Sequence, residues 1–265
     1  MKAYANYETA ERENRSSDSL SETETNSDVK HDSDISTVAQ QEGVQLLEGI
    51  PVQDRTSILK VASWHDYSKN ATETDQGRTA DRLFLLIKGE ARFFFLSPEG
   101  QKTYLIWLKP GDIFGGSALL IDPSAYLVNT EVAKGSRAFV WQRDVIRDLA
   151  RRFPRLLENA LLISSGYLTW YLATHLSLIT DSASERLARV LMTIADGFGT
   201  KGADGVYLTI TNEQLANTAN VSIFTASRLL SEWQRKKLVL KRRNQIIVRS
   251  PEGILLASNL TKWHR

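Results

Sequence analysis

Residues 208–250 read LTITNEQLANTANVSIFTASRLLSEWQRKKLVLKRRNQIIVRS, and this stretch decides the fold of the C-terminal part of the chain. Thr211 and Gln214 have the spacing of a capping box, which predicts that a helix begins at this point. Asn220 stands where a tight turn needs a positive φ, which asparagine tolerates. Ser222 can cap a second helix. The buried face of that helix is predicted from the spacing i, i+3, i+4 and i+7, namely Ala226, Leu229, Leu230 and Trp233.

Two short helices joined by a tight turn form a helix-turn-helix, in which the N-terminal part of the second helix enters the major groove of DNA. The second helix is predicted over residues 222–233. Arg228 is the expected base reader, because a guanidinium can donate two hydrogen bonds to O6 and N7 of guanine. The alternative role for Arg228 is a surface salt bridge with Glu232. The other predicted DNA contacts of this unit are Thr211, Asn212, Ser222, Ile223, Phe224 and Ser227.

A β-hairpin is predicted to follow the second helix, with strands over residues 238–240 and 245–249. Such a hairpin is the wing of a winged helix, and cations at its turn are expected to contact phosphates. The predicted wing cations are Lys241, Arg242 and Arg243.

Charge is divided unevenly along the 265 residues of the chain. Residues 1–42 hold four basic and ten acidic side chains, whereas residues 180–265 hold 13 basic and seven acidic ones. The net formal charge of +2 therefore combines an acidic N-terminal segment with a basic C-terminal one. The basic segment favours a polyanion partner such as double-stranded DNA, and the alternative is a solvated charged face.

Residues 1–42 are predicted to be a disordered acidic tail, because few of them are large and apolar. A solubilising tail and a self-inhibitory tail that competes with DNA both fit this composition. No run approaches the roughly 18 apolar residues of a membrane span, and no apolar signal core is present, so we expect a cytoplasmic protein without a membrane partner. The chain has no cysteine, which excludes disulfides, iron–sulfur clusters and thiol-based sensing.

A sensor domain is expected over residues 43–145. A short helical lead-in is followed by apolar runs that turn residues interrupt, among them RLFLLIKG, EARFFFL and QKTYLIWL. Such runs, separated by Gly and Pro at short intervals, predict antiparallel strands. A small sandwich or barrel is the economical fold for them.

Residues 146–180 are predicted to be the dimerisation helix, and Pro154 suits an N-terminal helix position because its missing N–H is not needed there. The apolar stripe of this helix steps by alternating fours and threes through Leu157, Leu161, Ser164, Leu168, Tyr171, His175 and Leu178. A stripe of this period, on a helix of about 25 residues and nearly 40 Å, suits pairing with a second copy, so we expect a homodimer. Packing against the sensor domain of the same chain is the alternative. The winged-helix domain is predicted over residues 181–258 and begins with a hinge at residues 181–184. Residues 259–265 are expected to form a tail.

From about Val44 to Pro251 the chain resembles the Crp/Fnr superfamily of transcription regulators. The motifs that carry the resemblance are KG and PGDIFG in the sensor domain, SERLARVL at 184–191, and VSIFTASRLL at 221–230. The resemblance implies an α+β fold with an N-terminal β-roll, a double-stranded β-helix of the cyclic-nucleotide-binding type. A long dimerisation helix and a C-terminal winged helix-turn-helix would follow. It also implies a homodimer on a palindromic DNA site, with RNA polymerase as a further partner.

The sensor domain departs from the family pattern at its ligand site. Gly116 stands where cyclic-nucleotide-binding members have Glu, and SALLIDPSAYLVN lacks the Arg that would neutralise a cyclic phosphate. The sequence therefore argues against cyclic AMP and favours an apolar effector, or none, without a bound cofactor. Haem held by His65 or His175 is the remaining alternative. The predicted effector pocket comprises Phe94, Tyr104, Trp107, Gly115, Gly116, Ser117, Tyr167 and Trp170.

The predicted recognition helix also departs from the family pattern. Ile223 and Phe224 stand where members commonly have Arg and Glu. Phe224 cannot accept a hydrogen bond from cytosine, so the half-site is predicted to differ from the familiar ones. The alternative function is a non-enzymatic regulatory or ligand-binding module that acts through protein partners. An enzyme fits least, because the sequence shows no nucleophile–base pairing, metal-ligand spacing or phosphate-binding loop.

Overall fold

The computed structural model describes residues 33–96, 100, 102–120, 122 and 124–260. An N-terminal β-roll, a long helix and a C-terminal winged helix follow one another along the chain, which confirms the predicted α+β architecture. The tail predictions for residues 1–32 and 261–265 lie outside the described residues. Within the described ranges, no helix is both long and apolar enough to cross a membrane.

The β-roll consists of two four-stranded antiparallel sheets, with strand orders β1-β8-β3-β6 and β2-β7-β4-β5. The strands are β1 Ser63–Asp66, β2 Ala71–Thr74, β3 Arg82–Lys88, β4 Ala91–Leu96, β5 Lys102–Leu108, β6 Ile113–Phe114, β7 Asn129–Val132 and β8 Arg137–Gln142. Side chains alternate across β3, because successive residues of a strand point to opposite faces. Phe84 and Leu86 fill the interior of the roll, whereas Leu83 and Leu85 pack against the helices outside it.

Two α-helices precede the strands, α1 over residues 33–40 and α2 over Val52–Lys60, with a 3-10 helix over Gln45–Leu47 between them. Ile35, Val38 and Ala39 of α1 are buried in the cluster between the roll and its helices. The prediction of disorder up to residue 42 is therefore wrong from residue 33 onward. The segment is helical because these three residues follow an apolar i, i+3, i+4 pattern, which gives it a face to bury.

The helical segment after the roll is two helices, α3 Arg143–Arg152 and α4 Arg155–Thr180, and not one helix over 146–180. The backbone leaves the helical conformation at Phe153, with ψ of 77°. Pro154 caps α4, as expected of a residue whose missing N–H needs no partner there. The short helix α3 packs on β8, β3 and the turn after β6, so it belongs to the roll.

The C-terminal domain follows the 26-residue helix α4. It contains α5 Ala183–Phe198, β9 Thr200–Gly202, β10 Gly205–Leu208, α6 Asn212–Thr218, α7 Ile223–Arg235, β11 Val239–Arg242, β12 Gln245–Val248 and α8 Pro251–Ala257. Ser182 caps α5, so the hinge is shorter than the predicted 181–184. Leu260 is buried in the core of this domain, which therefore extends beyond the predicted boundary at residue 258.

The turn between β5 and β6 connects the roll with α4. Gly111 adopts a φ of 96° and donates its N–H to the Leu86 carbonyl at 2.8 Å. One carboxylate oxygen of Asp112 accepts the Lys109 N–H at 2.8 Å, and burial raises the pKa of this carboxyl. The Tyr167 hydroxyl of α4 donates to the Ile113 carbonyl at 2.9 Å, which ties the long helix to this turn.

Asp112→Asn is expected to change the pH dependence of stability. A raised pKa in the folded state means that ionisation of Asp112 opposes folding, so the wild type loses free energy of unfolding as pH rises from the ordinary value of 3.8 through the raised one. Asparagine can still accept the Lys109 N–H but does not titrate. Urea unfolding at about pH 3 and about pH 7 should show the variant gaining stability relative to the wild type at the higher pH. An unchanged difference between the two proteins would contradict this.

Candidate nucleic-acid interface and sensor site

The helix-turn-helix is built by two side-chain caps and one left-handed residue, all three predicted from the sequence. The Thr211 hydroxyl accepts the Gln214 N–H at 3.1 Å, and the Gln214 side chain accepts the Thr211 N–H at 2.9 Å. The Ser222 hydroxyl accepts the Thr225 N–H at 3.1 Å. Asn220 has a φ of 49° in the turn between α6 and α7. These contacts set where α7 begins.

One face of α7 is buried and the other is open. The predicted core residues Ala226, Leu229, Leu230 and Trp233 are all buried in the domain. On the other face the exposed fraction is 47% for Ile223 and 88% for Phe224, and Arg228 is also exposed, with Ser227 half-buried between the faces. The first turn of α7 therefore presents two apolar side chains to solvent, and a guanidinium follows one turn later.

The salt bridge between Arg228 and Glu232, the alternative role predicted for Arg228, does not form. Glu232 pairs with Lys236 at 2.8 Å, and the hydrogen bond and charge of that lysine lower the pKa of Glu232. Within the described part of the chain, no carboxylate lies in salt-bridge distance of Arg228. Its guanidinium is thus available on the open face of α7.

The wing lies beside α7 and is joined to it by a hydrogen bond. The Gln234 side chain accepts the Lys241 N–H at 3.0 Å. Arg243 is exposed at the hairpin turn, next to Asn244 with a φ of 55°, and Arg242 lies 3.9 Å from Asp204. The sequence reasoning missed Gln234, because nothing local distinguishes an exposed glutamine that bridges two elements from one that contacts only water.

Arg186 of α5 anchors the turn of the helix-turn-helix. It is the second site residue that was not predicted from the sequence. Its guanidinium donates to the carbonyls of Ala219 at 3.2 Å and Asn220 at 3.4 Å. It also donates to the Asp181 carbonyl at 2.7 Å. The sequence signal for Arg186 was its position in the SERLARVL motif, but only the fold shows that Arg186 connects the hinge with the turn.

The predicted effector pocket divides into two groups of residues, one around the end of β6 and α4 and the other on the face of β4 and β5 that meets the C-terminal domain. Tyr167 lies at the roll interior, with its ring 5.6 Å from Phe93. Gly115 adopts a φ of 77° close to the Arg82 carbonyl, and Gly116 and Ser117 start the short 3-10 helix that follows. Trp170 is half-buried further along α4.

The second group faces the C-terminal domain. The rings of Phe94 and Tyr104 are 6.4 Å apart, those of Tyr104 and Trp107 are 6.3 Å apart, and Arg92 stacks over Trp107 at 4.1 Å. Trp107 in turn packs against Phe198 of α5 at 5.9 Å. Phe93 and Phe94 point to opposite faces because they are adjacent in a strand. A β-bulge opposite them changes the register of β4 with β5, so that Tyr104 and Trp107 both lie on the face of Phe94. A single aromatic pocket is therefore not formed.

A half-open cavity of about 500 Å³ lies beside this second group, between the roll and the helix-turn-helix. Lys102 and Tyr104 of β5 line one side of it, and Thr211, Glu213, Gln214 and Asn217 line the other. The N-terminal end of α6 thus faces the β4–β5 hairpin.

The space at Gly116 itself is open, since a Cβ added there would meet no atom within 4 Å, whereas Ala118 of the same turn is buried. The Tyr126 ring is buried with Ala80 and Ala118, and its hydroxyl donates to Asp81 at 2.7 Å. Burial raises the pKa of Tyr126 to about 12, so the phenol stays neutral. Arg143 donates to the Ala118 carbonyl at 3.2 Å.

Arg82 enters the roll from β3 and pairs with Glu73 at 3.2 Å. His65 and His175 are both exposed, each beside a tyrosine ring. No group of three or more potential metal ligands occurs among the described residues.

Two family models match the chain. A Crp-like helix-turn-helix domain matches residues 185–255, and a cyclic nucleotide-binding domain matches residues 64–153. Among curated proteins, the CRP-like cAMP-activated global transcriptional regulator of Mycobacterium tuberculosis is 22% identical over 79% of this chain and 94% of its own length. Electron transport regulator A of Shewanella oneidensis is 25% identical over 67% of this chain and 71% of its own.

Solved structures share the fold. FixK2 from Bradyrhizobium japonicum has a TM-score of 0.65 at 19% identity, covering 77% of this chain and 100% of its own. A transcriptional regulator of the CRP family from Thermus thermophilus has a TM-score of 0.63 at 20% identity, covering 74% of this chain and 96% of its own. With both domains matched in their expected order, the chain belongs to the Crp/Fnr family of DNA-binding transcription regulators.

Proposed function

We propose that the protein works as a homodimer that binds a palindromic DNA site and is regulated through its β-roll by an apolar effector or a protein partner. The observation that carries the proposal is the open face of α7, where Phe224 and Arg228 point away from a buried core beside the basic wing. The proposed activity is binding, not catalysis, and the proposed location is the cytoplasm.

The proposed DNA contacts fall into two classes. Arg228 reads guanine, because its guanidinium is exposed and one helical turn from the start of α7. The remaining polar residues position the protein on phosphates and sugars. These are Thr211, Asn212, Ser222, Ser227, Lys241, Arg242 and Arg243.

The proposed dimer interface is the exposed apolar side of α4. Residues exposed on this helix include Leu157, Leu161, Leu162, Leu168, Tyr171, Leu172, Leu176, Leu178 and Ile179. A continuous apolar surface on a helix of about 39 Å needs a partner of similar length, and a second α4 supplies one. Pairing along the stripe would place two recognition helices about 34 Å apart, on successive major grooves of one DNA face.

Leu161→Glu is expected to dissociate the dimer, because a carboxylate buried in an apolar seam lacks a partner. The dissociation constant measured by sedimentation velocity should rise about 100-fold or more. Leu256→Glu, at another highly exposed leucine on α8, is the matched control and should leave the dimer intact. A monomeric wild type, or equal effects of both changes, would refute the proposed interface.

Arg228→Ala and Lys241→Ala should separate base reading from phosphate contact. Loss of the Arg228 guanidinium is expected to cost about 1–3 kcal/mol on the selected site and to relax specificity there. Loss of the Lys241 ammonium should weaken binding to all sequences alike and reduce the salt slope by about one, while its backbone contact with Gln234 remains. Both effects are measured by fluorescence anisotropy on specific and random duplexes. If Arg228→Ala weakened binding to the two duplexes equally, Arg228 would not be a base reader.

The same titrations test the alternative function, a module that regulates protein partners through its basic domain. A true polyanion binder loses affinity steeply as salt rises, because bound counterions are released from DNA. A shallow salt slope with no selected DNA sequence would favour that module instead.

Cyclic AMP is not the proposed effector. The turn that would hold a cyclic phosphate carries Gly116, and the buried Tyr126 ring packs against Ala118 beside it. Arg82 and Arg143 near this turn are bonded to Glu73 and to backbone carbonyls. No described contact therefore supplies a cation for a phosphate. Haem held by His65 or His175 has little support, because both side chains are exposed.

Thermal unfolding should therefore show the same Tm with and without millimolar cyclic AMP. A ligand present at 100 times its Kd would add about 2.7 kcal/mol of stability, which such a measurement detects easily. A saturable rise of Tm with cyclic AMP would overturn this part of the proposal, and a rise with an apolar ligand would identify the effector class.

RNA polymerase is the proposed further partner. The measurement that tests it is whether the polymerase and this protein occupy one promoter fragment together.

A further inference from the structure

The helix α7 begins with two adjacent apolar side chains that the protein leaves uncovered. Phe224 is 88% exposed and Ile223 is 47% exposed. Among the described residues, the Phe224 ring has no aromatic or cation–π partner. Leaving a phenylalanine in water forgoes a favourable burial, so the position favours a partner with an apolar group of its own.

The proposed function identifies that partner as the edge of a base pair. N-terminal residues of a recognition helix reach the floor of the major groove. Most groups displayed there are hydrogen-bond donors or acceptors, and phenylalanine can pair with none of them. The apolar exception is the C5-methyl group of thymine.

We infer that Ile223 and Phe224 form an apolar reading tip that selects thymine in each half-site by burying its methyl group. This inference rests on the proposed DNA-binding function and specifies the base that the protein recognises. Packing of Phe224 among the protein's own side chains, the other role open to it, does not agree with its exposure.

The tip is held in place at the start of the helix. Ser222 caps α7 through the Thr225 N–H, and the Ser222 and Thr225 hydroxyls lie 2.9 Å apart. The buried Ala226 and Leu229 keep the same turn against the domain core. The reading tip is therefore presented by a rigid helix end and not by a loop.

The position of the thymine relative to the guanine read by Arg228 follows from helix geometry. Phe224 and Arg228 are four residues apart, hence on one face of α7 and separated by about 6 Å along its axis. Successive base pairs are about 3.4 Å apart. The thymine is accordingly expected one or two base pairs from that guanine.

The test removes single methyl groups from the DNA. The full-length protein first selects its site from a random duplex library, and each thymine of the half-site is then replaced by deoxyuridine, which differs only in lacking the methyl group. One replacement, one or two base pairs from the guanine, should weaken binding about fourfold per half-site, the value of one buried methyl group.

Protein variants assign the effect to the reading tip. Phe224→Ala should bind thymine and deoxyuridine sites equally well, whereas Arg228→Ala should retain the ratio of wild type. Leu256→Ala, at an exposed apolar residue remote from α7, is the matched control. Phe224→Glu should change the selected base from thymine to cytosine, because a carboxylate accepts from the cytosine amino group. Unchanged Tm values verify that the variants fold.

The outcomes separate the inference from the function on which it rests. A selected palindrome in which every deoxyuridine is tolerated would overturn the reading tip and leave the DNA-binding function standing. The same holds if Phe224→Ala keeps the preference for thymine. Failure to select any sequence, with a shallow salt dependence, would instead refute the proposed function.

Discussion

Burial of one face of α7 is the constraint on which the interface depends. Trp233 is 1% exposed, and with Leu229 and Leu230 it packs into the core that α5 and α6 complete. Because a helix turns by about 100° per residue, this packing leaves no freedom in which side chains point outward. Phe224 and Arg228 are displayed because Trp233 is buried, and the caps at Thr211 and Ser222 fix where each helix begins.

Besides the covalent chain, two side-chain contacts tie the sensor domain to the helices that follow it. The Tyr167 hydroxyl of α4 donates to the Ile113 carbonyl at the start of β6, and Trp107 of β5 packs against Phe198 of α5. Both contacts start from strands or turns of the roll and end on the helices that carry the C-terminal domain. The two domains are thus joined at α4 and at the β4–β5 hairpin, next to the cavity lined by α6.

Local patterns explain which predictions held. The caps, the Asn220 turn and the buried positions of α7 all depend on residues within a few positions of one another, so they could be predicted without the rest of the fold. The α1 helix was missed because its acidic surroundings hid three apolar residues that are buried only against the roll. Pro154 marked the start of α4 in the sequence, although the boundary at residue 146 was wrong because an apolar helical pattern continues on both sides of Phe153.

The sequence by itself determined the order of the domains, the helix-turn-helix and the apolar stripe of α4, because each is written in short-range spacing of residue types. Tertiary structure decided which aromatic side chains meet. A single bulge between the Phe93 and Phe94 pairings changes the register of β4 with β5, and it places Tyr104 on the same face as Trp107, beside Phe94 and toward the winged helix. Register between strands distant in sequence depends on pairing and twist, not on local pattern, so only the fold could separate the predicted pocket into two sites.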